Sequence, residues 1–128
     1  MAMIRSFRDL NAYQKTREET KRIFEMTRSF PSEEKFSLTD QIRRSSRAVK
    51  SMIAEAWGHR RYPAHFASKL TDAIREANET QSWLDDSLDC HYISEAQHRD
   101  HDLAWQSIGG MIHNMIERTE DFCKSAKP

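Results

Sequence analysis

The chain has 128 residues, of which 31% are charged and 38% hydrophobic, and its 20 basic residues balance 20 acidic ones. That length suits one domain with a real core. No apolar run is long enough to span a bilayer and the start, MAMIRSFRDL, lacks the apolar core of a signal peptide, so neither a membrane protein nor a secreted one is expected and the compartment is read as cytoplasmic. Only three glycines and three prolines interrupt the sequence, which favours long helices over many short strands; the fold class is read as all-α. Cys90 and Cys123 are too few for a disulfide framework and are read as reduced.

Taken in order, Phe7 stands ahead of a first helix over 9–29, with Asp9 as its candidate N-cap. Tyr13, Thr16 or Arg17, Thr20, Ile23, Phe24 and Thr27 trace one face of it, and Phe30-Pro31 closes it, because proline disfavours helix before itself and has no N–H to donate. The second helix, 37–59, carries the cleanest periodicity: Leu38, Ile42, Ser45, Val49, Met52, Ile53 and Ala56 recur at steps of three and four. Ser37 is its candidate N-cap, with Asp40 suited to the positive end of the helix. A third helix, 63–91, opens at Pro63 and places Phe66, Leu70, Ala73, Ala77, Leu84 and Leu88 on one stripe, with Ile74 and Trp83 offset. Ser94 and Gln97 make a capping-box start for a fourth, 95–124, whose face runs His101, Trp105, Ile108, Ile112, Met115, Thr119 and Phe122. Gly109-Gly110 inside it suggests a bend or a close backbone approach, and the tail from Lys124 to Pro128 should fray. Four such helices joined by short corners satisfy one another most simply as an antiparallel up-down-up-down bundle, a single domain over 1–128.

Charge is distributed unevenly. Residues 1–61 hold 14 basic against 8 acidic side chains, and residues 62–128 hold 6 against 12. A polyanion surface or an attraction between the two halves would each explain such asymmetry. Arg43, Arg44, Arg47 and Lys50 lie within two turns of the second helix and outside its apolar stripe, with Arg60 and Arg61 just past its end. Guanidinium groups engage phosphate oxygens in pairs, and Tyr62 beside Arg60 and Arg61 is placed to stack a base. The competing reading is that these charges are simply solvated or are paired with carboxylates.

Other chemistry is thinner. Glu95-x-x-His98 is half of a di-iron ligand pattern, but no second unit exists, and Cys90, His91, His98 and His101 match no closed zinc spacing; no metal and no cofactor is expected. Glu55, Glu76 and Glu79 could converge in a bundle, and Glu55, flanked by Ile53, Ala54 and Trp57, is expected to be partly buried against Arg43, Arg44 or Lys69. There is no phosphate loop, nucleophile elbow or zinc-protease signature, so no enzyme is expected.

FRDLNAYQK, the FP followed by glutamate, Leu38-Thr39-x-Gln41, IRRSS, IAEAWGHRRY and HFASKLTDAIREANETQSWLDDSLDCHYI resemble the bacterial four-helix-bundle family of the 23S rRNA intervening-sequence proteins, over most of the chain up to Ile93. The resemblance implies a homopentameric ring and a relationship to the accessory variability determinant of diversity-generating retroelements, a basic pentamer that works with a reverse transcriptase and binds nucleic acid. Tyr13 stands where that family usually has tryptophan, Met52 where it often has asparagine and Ala56 where glycine is common. The neutral balance also departs from the strongly basic retroelement relative. The expectation is therefore a non-enzymatic homo-oligomer that binds RNA or DNA through Arg43, Arg44, Arg47, Lys50, Arg60 and Arg61. The alternative is an assembly module for a protein partner such as a reverse transcriptase, with those cations set against Asp85, Asp86 or Asp89 of a neighbour and Trp83 and the glycine pair in subunit contacts.

Overall fold

The computed structural model describes residues 3–124 and is helical throughout its regular elements. Four long helices, α1 (Asn11–Thr27), α2 (Leu38–Gly58), α3 (Pro63–Asp89) and α4 (Glu95–Glu117), are followed by a short α5 (Thr119–Lys124), and 3₁₀ turns at Phe7–Asp9 and Ser32–Glu34 lead into α1 and α2. Helix α2 packs between α1 and α3, α3 packs between α2 and α4, and α4 returns to α1, so the four apolar stripes share one core. Ile42, Val49 and Ile53 of α2 meet Phe66, Leu70 and Leu84 of α3 and Ile108 and Ile112 of α4 in it, all with no exposed surface. Each such side chain contributes about 1.5–3 kcal/mol by leaving water.

The helix ends follow from local hydrogen bonding and differ from expectation in three places. Asp9 does not cap α1; it belongs to the preceding turn, where its carboxylate accepts from the Ser6 N–H at 3.1 Å and Leu10 occupies the cap position. Ser37 does stand at the N-cap of α2, but its hydroxyl donates to Glu34 Oε1 at 2.6 Å and makes no capping bond. The expected single fourth helix breaks at Arg118, and α5 then sets Phe122 against Phe66 with ring centres 5.8 Å apart and buries Cys123. At the start of α4 the capping box forms as read, with Gln97 N–H donating to Ser94 Oγ at 3.1 Å and Ser94 N–H to Gln97 Oε1 at 2.8 Å. After α3, His91 turns the chain in the left-handed region (φ 62°), and Tyr92 N–H reaches back to Ser87 O at 2.9 Å.

Two expectations about packing are corrected. A Cβ added at Gly109 or Gly110 would meet nothing within 4 Å, so no other backbone among the described residues approaches them closely. Phe24 is an exposed residue of α1 rather than a core one, and Leu88 is half-buried. The predicted fraying beyond Lys124 concerns residues outside those described. No described helix is long and apolar enough to cross a membrane.

Candidate nucleic-acid interface

Burying Leu38, Ile42, Ser45, Val49, Ile53 and Ala56 turns the opposite edge of α2 outward, and that edge carries the basic residues. They do not form a single cluster. Arg43 leans toward α1: its guanidinium carbon lies 4.5 Å from the centre of the Phe24 ring, and its Nε donates to Thr27 Oγ1 at 2.8 Å. The Thr27 hydroxyl in turn donates to Ile23 O at 2.9 Å, which fixes the acceptor. Arg47, one turn on, is 5.9 Å from the same ring. Burial first, then the neighbouring charges of Arg47 and Arg28, push the Arg43 guanidinium below its ordinary value. Arg44 faces the other way, into a depression of about 150 Å³ between α2 and α3 with Gln41, Glu76 and Glu79. Among the described residues, Arg43, Arg44, Arg47, Lys50 and Arg61 enter no ion pair.

The corner between α2 and α3 extends this edge. Arg60 is folded onto Trp57, its guanidinium carbon 3.5 Å from the ring centre and its Nε donating to Trp57 O at 2.8 Å. Burial pushes it below its ordinary value. Arg61 and Tyr62 are exposed, and the Tyr62 ring lies 5.6 Å from His65, which in turn meets His59 edge-on at 5.7 Å.

A buried charge network between α1 and α4 was not anticipated from the residue pattern. Glu19, 1% exposed, accepts from His101 Nδ1 at 2.7 Å and from Arg22 Nη1 at 2.6 Å, and Arg22 also pairs with Asp100. Glu19 lies three residues after Thr16 and four before Ile23, so it was always on the buried stripe; what was missing was its partner, 82 residues away. A groove of about 850 Å³ runs over this network, with Arg17, Lys21, Met26 and His101 in its lining.

The residues weighed for metal or acid–base chemistry are dispersed. His98 Nε2 meets Asp85 Oδ1 at 2.8 Å, whereas His101 is taken up by Glu19 and Cys90 is exposed. Glu55 is exposed, not partly buried, because it lies on the outer side of α2; its partner is Lys69 at 3.8 Å, and neither Arg43 nor Arg44 reaches it. Glu76 and Glu79 do come together: burial, followed by a hydrogen bond and charge from Glu79, raises Glu76 above the ordinary carboxylate range, with Arg75 and Arg44 opposing.

Residues 8–114 match the family model described as 23S rRNA-intervening sequence protein. The chain belongs to that family. The match includes every basic residue of the α2 edge and continues through most of α4, beyond the Ile93 limit expected from the motifs. A solved protein from Bacteroides thetaiotaomicron, described as a protein with unknown function from the S23 ribosomal protein family, is 29% identical with a TM-score of 0.75, the match covering 83% of this chain and 95% of that one. No curated protein matches the chain. The two family departures inside α2 are structural: Met52 packs half-buried against the core, and Ala56 is fully buried.

Proposed function

We propose that this member of the intervening-sequence family is a non-enzymatic, cytoplasmic subunit of a homo-oligomer, a pentamer by resemblance, whose four long helices run antiparallel up-down-up-down and whose α2 edge binds RNA or DNA. The observation that carries the nucleic-acid reading is that Arg43, Arg47, Lys50 and Arg61 enter no ion pair among the described residues, while Arg44, turned toward Glu76 and Glu79, borders them. Arginines that crowd one another without a counter-charge favour an anion, and phosphate meets the guanidinium geometry in pairs. Arg60, held flat on Trp57, continues the row at the corner. The test is a filter-binding or anisotropy titration of the wild type and of a double variant, Arg44→Gln with Arg47→Gln. The variant is expected to keep its melting temperature and lose most of its affinity; retained affinity rejects the edge as the binding surface.

A second reading, assembly with another copy or with a protein such as a reverse transcriptase, is supported by the opposite end of α2. Phe36 is 85% exposed and lines a depression of about 480 Å³ with Trp83, Asp86 and Cys90. Trp83 is half-buried, its Nε1 donating to Glu79 Oε1 at 3.3 Å. An apolar anchor beside carboxylates suits a partner that brings cations. Light scattering on Trp83→Glu tests it: loss of a discrete oligomer supports a subunit contact here, and an intact pentamer removes Trp83 from the interface.

A further inference from the structure

His101 is buried, yet only one of its ring nitrogens is used inside the fold. Nδ1 donates to Glu19 Oε2 at 2.7 Å, and Glu19 is itself held by Arg22, so the ring is fixed in orientation. Nε2 has no hydrogen-bond partner among the described residues. It is not sealed from water either, because His101 contributes no fully enclosed polar atom that lacks a partner. The space that reaches it is the groove of about 850 Å³ between α1 and α4. We propose that this groove binds a small organic anion, a single phosphate or carboxylate on an apolar body, whose oxygen accepts from His101 Nε2 while Arg17 and Lys21 hold its charge. The lining comes from α1 and α4 alone, so the site stands apart from the α2 edge and from the nucleic-acid reading.

Charge decides the sign of the ligand. Arg22 is answered by Glu19 and Asp100, and Glu25 by Arg28. Arg17, Lys21 and Glu18 enter no ion pair among the described residues, which leaves two cations against one carboxylate around the opening. An oxyanion calls for the doubly protonated imidazole, with both N–H groups donating. That form also balances the buried charges, since Arg22 and His101 then offset Glu19 and Asp100. Size decides the rest. The groove far exceeds an inorganic oxyanion and falls within the roughly 300–1,000 Å³ of small-molecule sites. Half-buried Met26 and the aliphatic stems of Arg17 and Lys21 give it an adaptable apolar wall.

The experiment follows the ring nitrogens of His101 by NMR at constant pH and ionic strength while uridine monophosphate, benzoate or inorganic phosphate is added. At least one of the two organic anions should move Nε2 saturably toward its protonated form and bind more tightly than inorganic phosphate; the tighter of the two identifies phosphate or carboxylate as the group held. Arg17→Gln with Lys21→Gln, both exposed positions, should keep the melting temperature and the Nδ1 bond to Glu19 and weaken that binding about fivefold or more. Arg47→Gln should bind the anion as the wild type does. No saturable change with either organic anion, an equal response to inorganic phosphate, or unchanged affinity in the double variant overturns the site. A loss in Arg47→Gln overturns it too, by placing the anion on the α2 edge.

Discussion

Replacing Glu19 with alanine should be among the most damaging single changes to this fold. The carboxylate is 1% exposed and makes two charge-assisted bonds, to His101 at 2.7 Å and to Arg22 at 2.6 Å. Its removal strands the imidazole of His101, itself 6% exposed, at the α1–α4 contact. Breaking a buried pair from one side costs about 3–5 kcal/mol. The lower end applies here, because Arg22 keeps Asp100 and its side chain is 37% exposed, so water replaces part of what it loses. A loss of about 3 kcal/mol in a chain of this size lowers Tm by about 10 °C. Urea and thermal unfolding followed by circular dichroism would read this, at fixed protein concentration because an oligomer's Tm moves with concentration. The double variant Glu19→Leu with His101→Leu should recover most of the loss, since apolar pairs commonly replace buried ion pairs at little cost. A loss below about 1 kcal/mol in Glu19→Ala, or a double variant as unstable as the two single changes added together, would refute the reasoning.

His91 holds a left-handed backbone conformation (φ 62°) that glycine adopts without steric penalty, so His91→Gly should raise Tm by about 3–4 °C, for about 1 kcal/mol; an unchanged or lower Tm would contradict the turn geometry. Glu34 is held below the ordinary carboxylate range by the hydroxyls of Ser37 and then Tyr92, so its contribution to stability is present above its unfolded value and lost as pH falls through the lower folded one. Tyr92, hydrogen-bonded to Glu34 at 2.9 Å, is pushed up from 10.0 to about 12, chiefly by that bond, so its contribution is complete below 10 and disappears as pH rises through about 12. Ultraviolet titration should show the last phenol to ionise vanish in Tyr92→Phe; identical titration of the two proteins would exclude the bond.

The parts of the fold that were legible in the sequence are those whose physics is local. The α2 stripe from Leu38 to Ala56 and the α3 stripe from Phe66 to Leu84 depend only on helical spacing and the removal of apolar surface from water, and apart from the half-buried Met52 they are buried as read. The Ser94–Gln97 box was legible because both partners lie within one turn. Ser37 stands at the N-cap as read, but it makes no capping bond because a competing acceptor, Glu34, sits three residues before it and takes its hydroxyl. The break at Arg118 carries no proline or glycine signal; what fixes α5 is the seat of Phe122 on Phe66, a contact between distant parts of the chain. The same distinction holds at the site. That Arg43 and Arg47 leave the core follows from spacing, whereas their convergence on Phe24, and the turning of Arg44 toward Glu76 and Glu79, depend on how α1 and α3 flank α2.

If the α2 edge is a phosphate-binding surface, the affinity for RNA must fall with salt. Contacts from Arg43, Arg47 and Lys50 alone give a slope of log K against log salt of about −2 on a single strand, and the addition of Arg44, Arg60 and Arg61 takes it to about −4. A value in that interval is expected for the wild-type protein on single-stranded RNA, reduced in magnitude by about 0.7 in Arg47→Gln. No binding at low salt, or binding whose affinity does not change with salt, would contradict it.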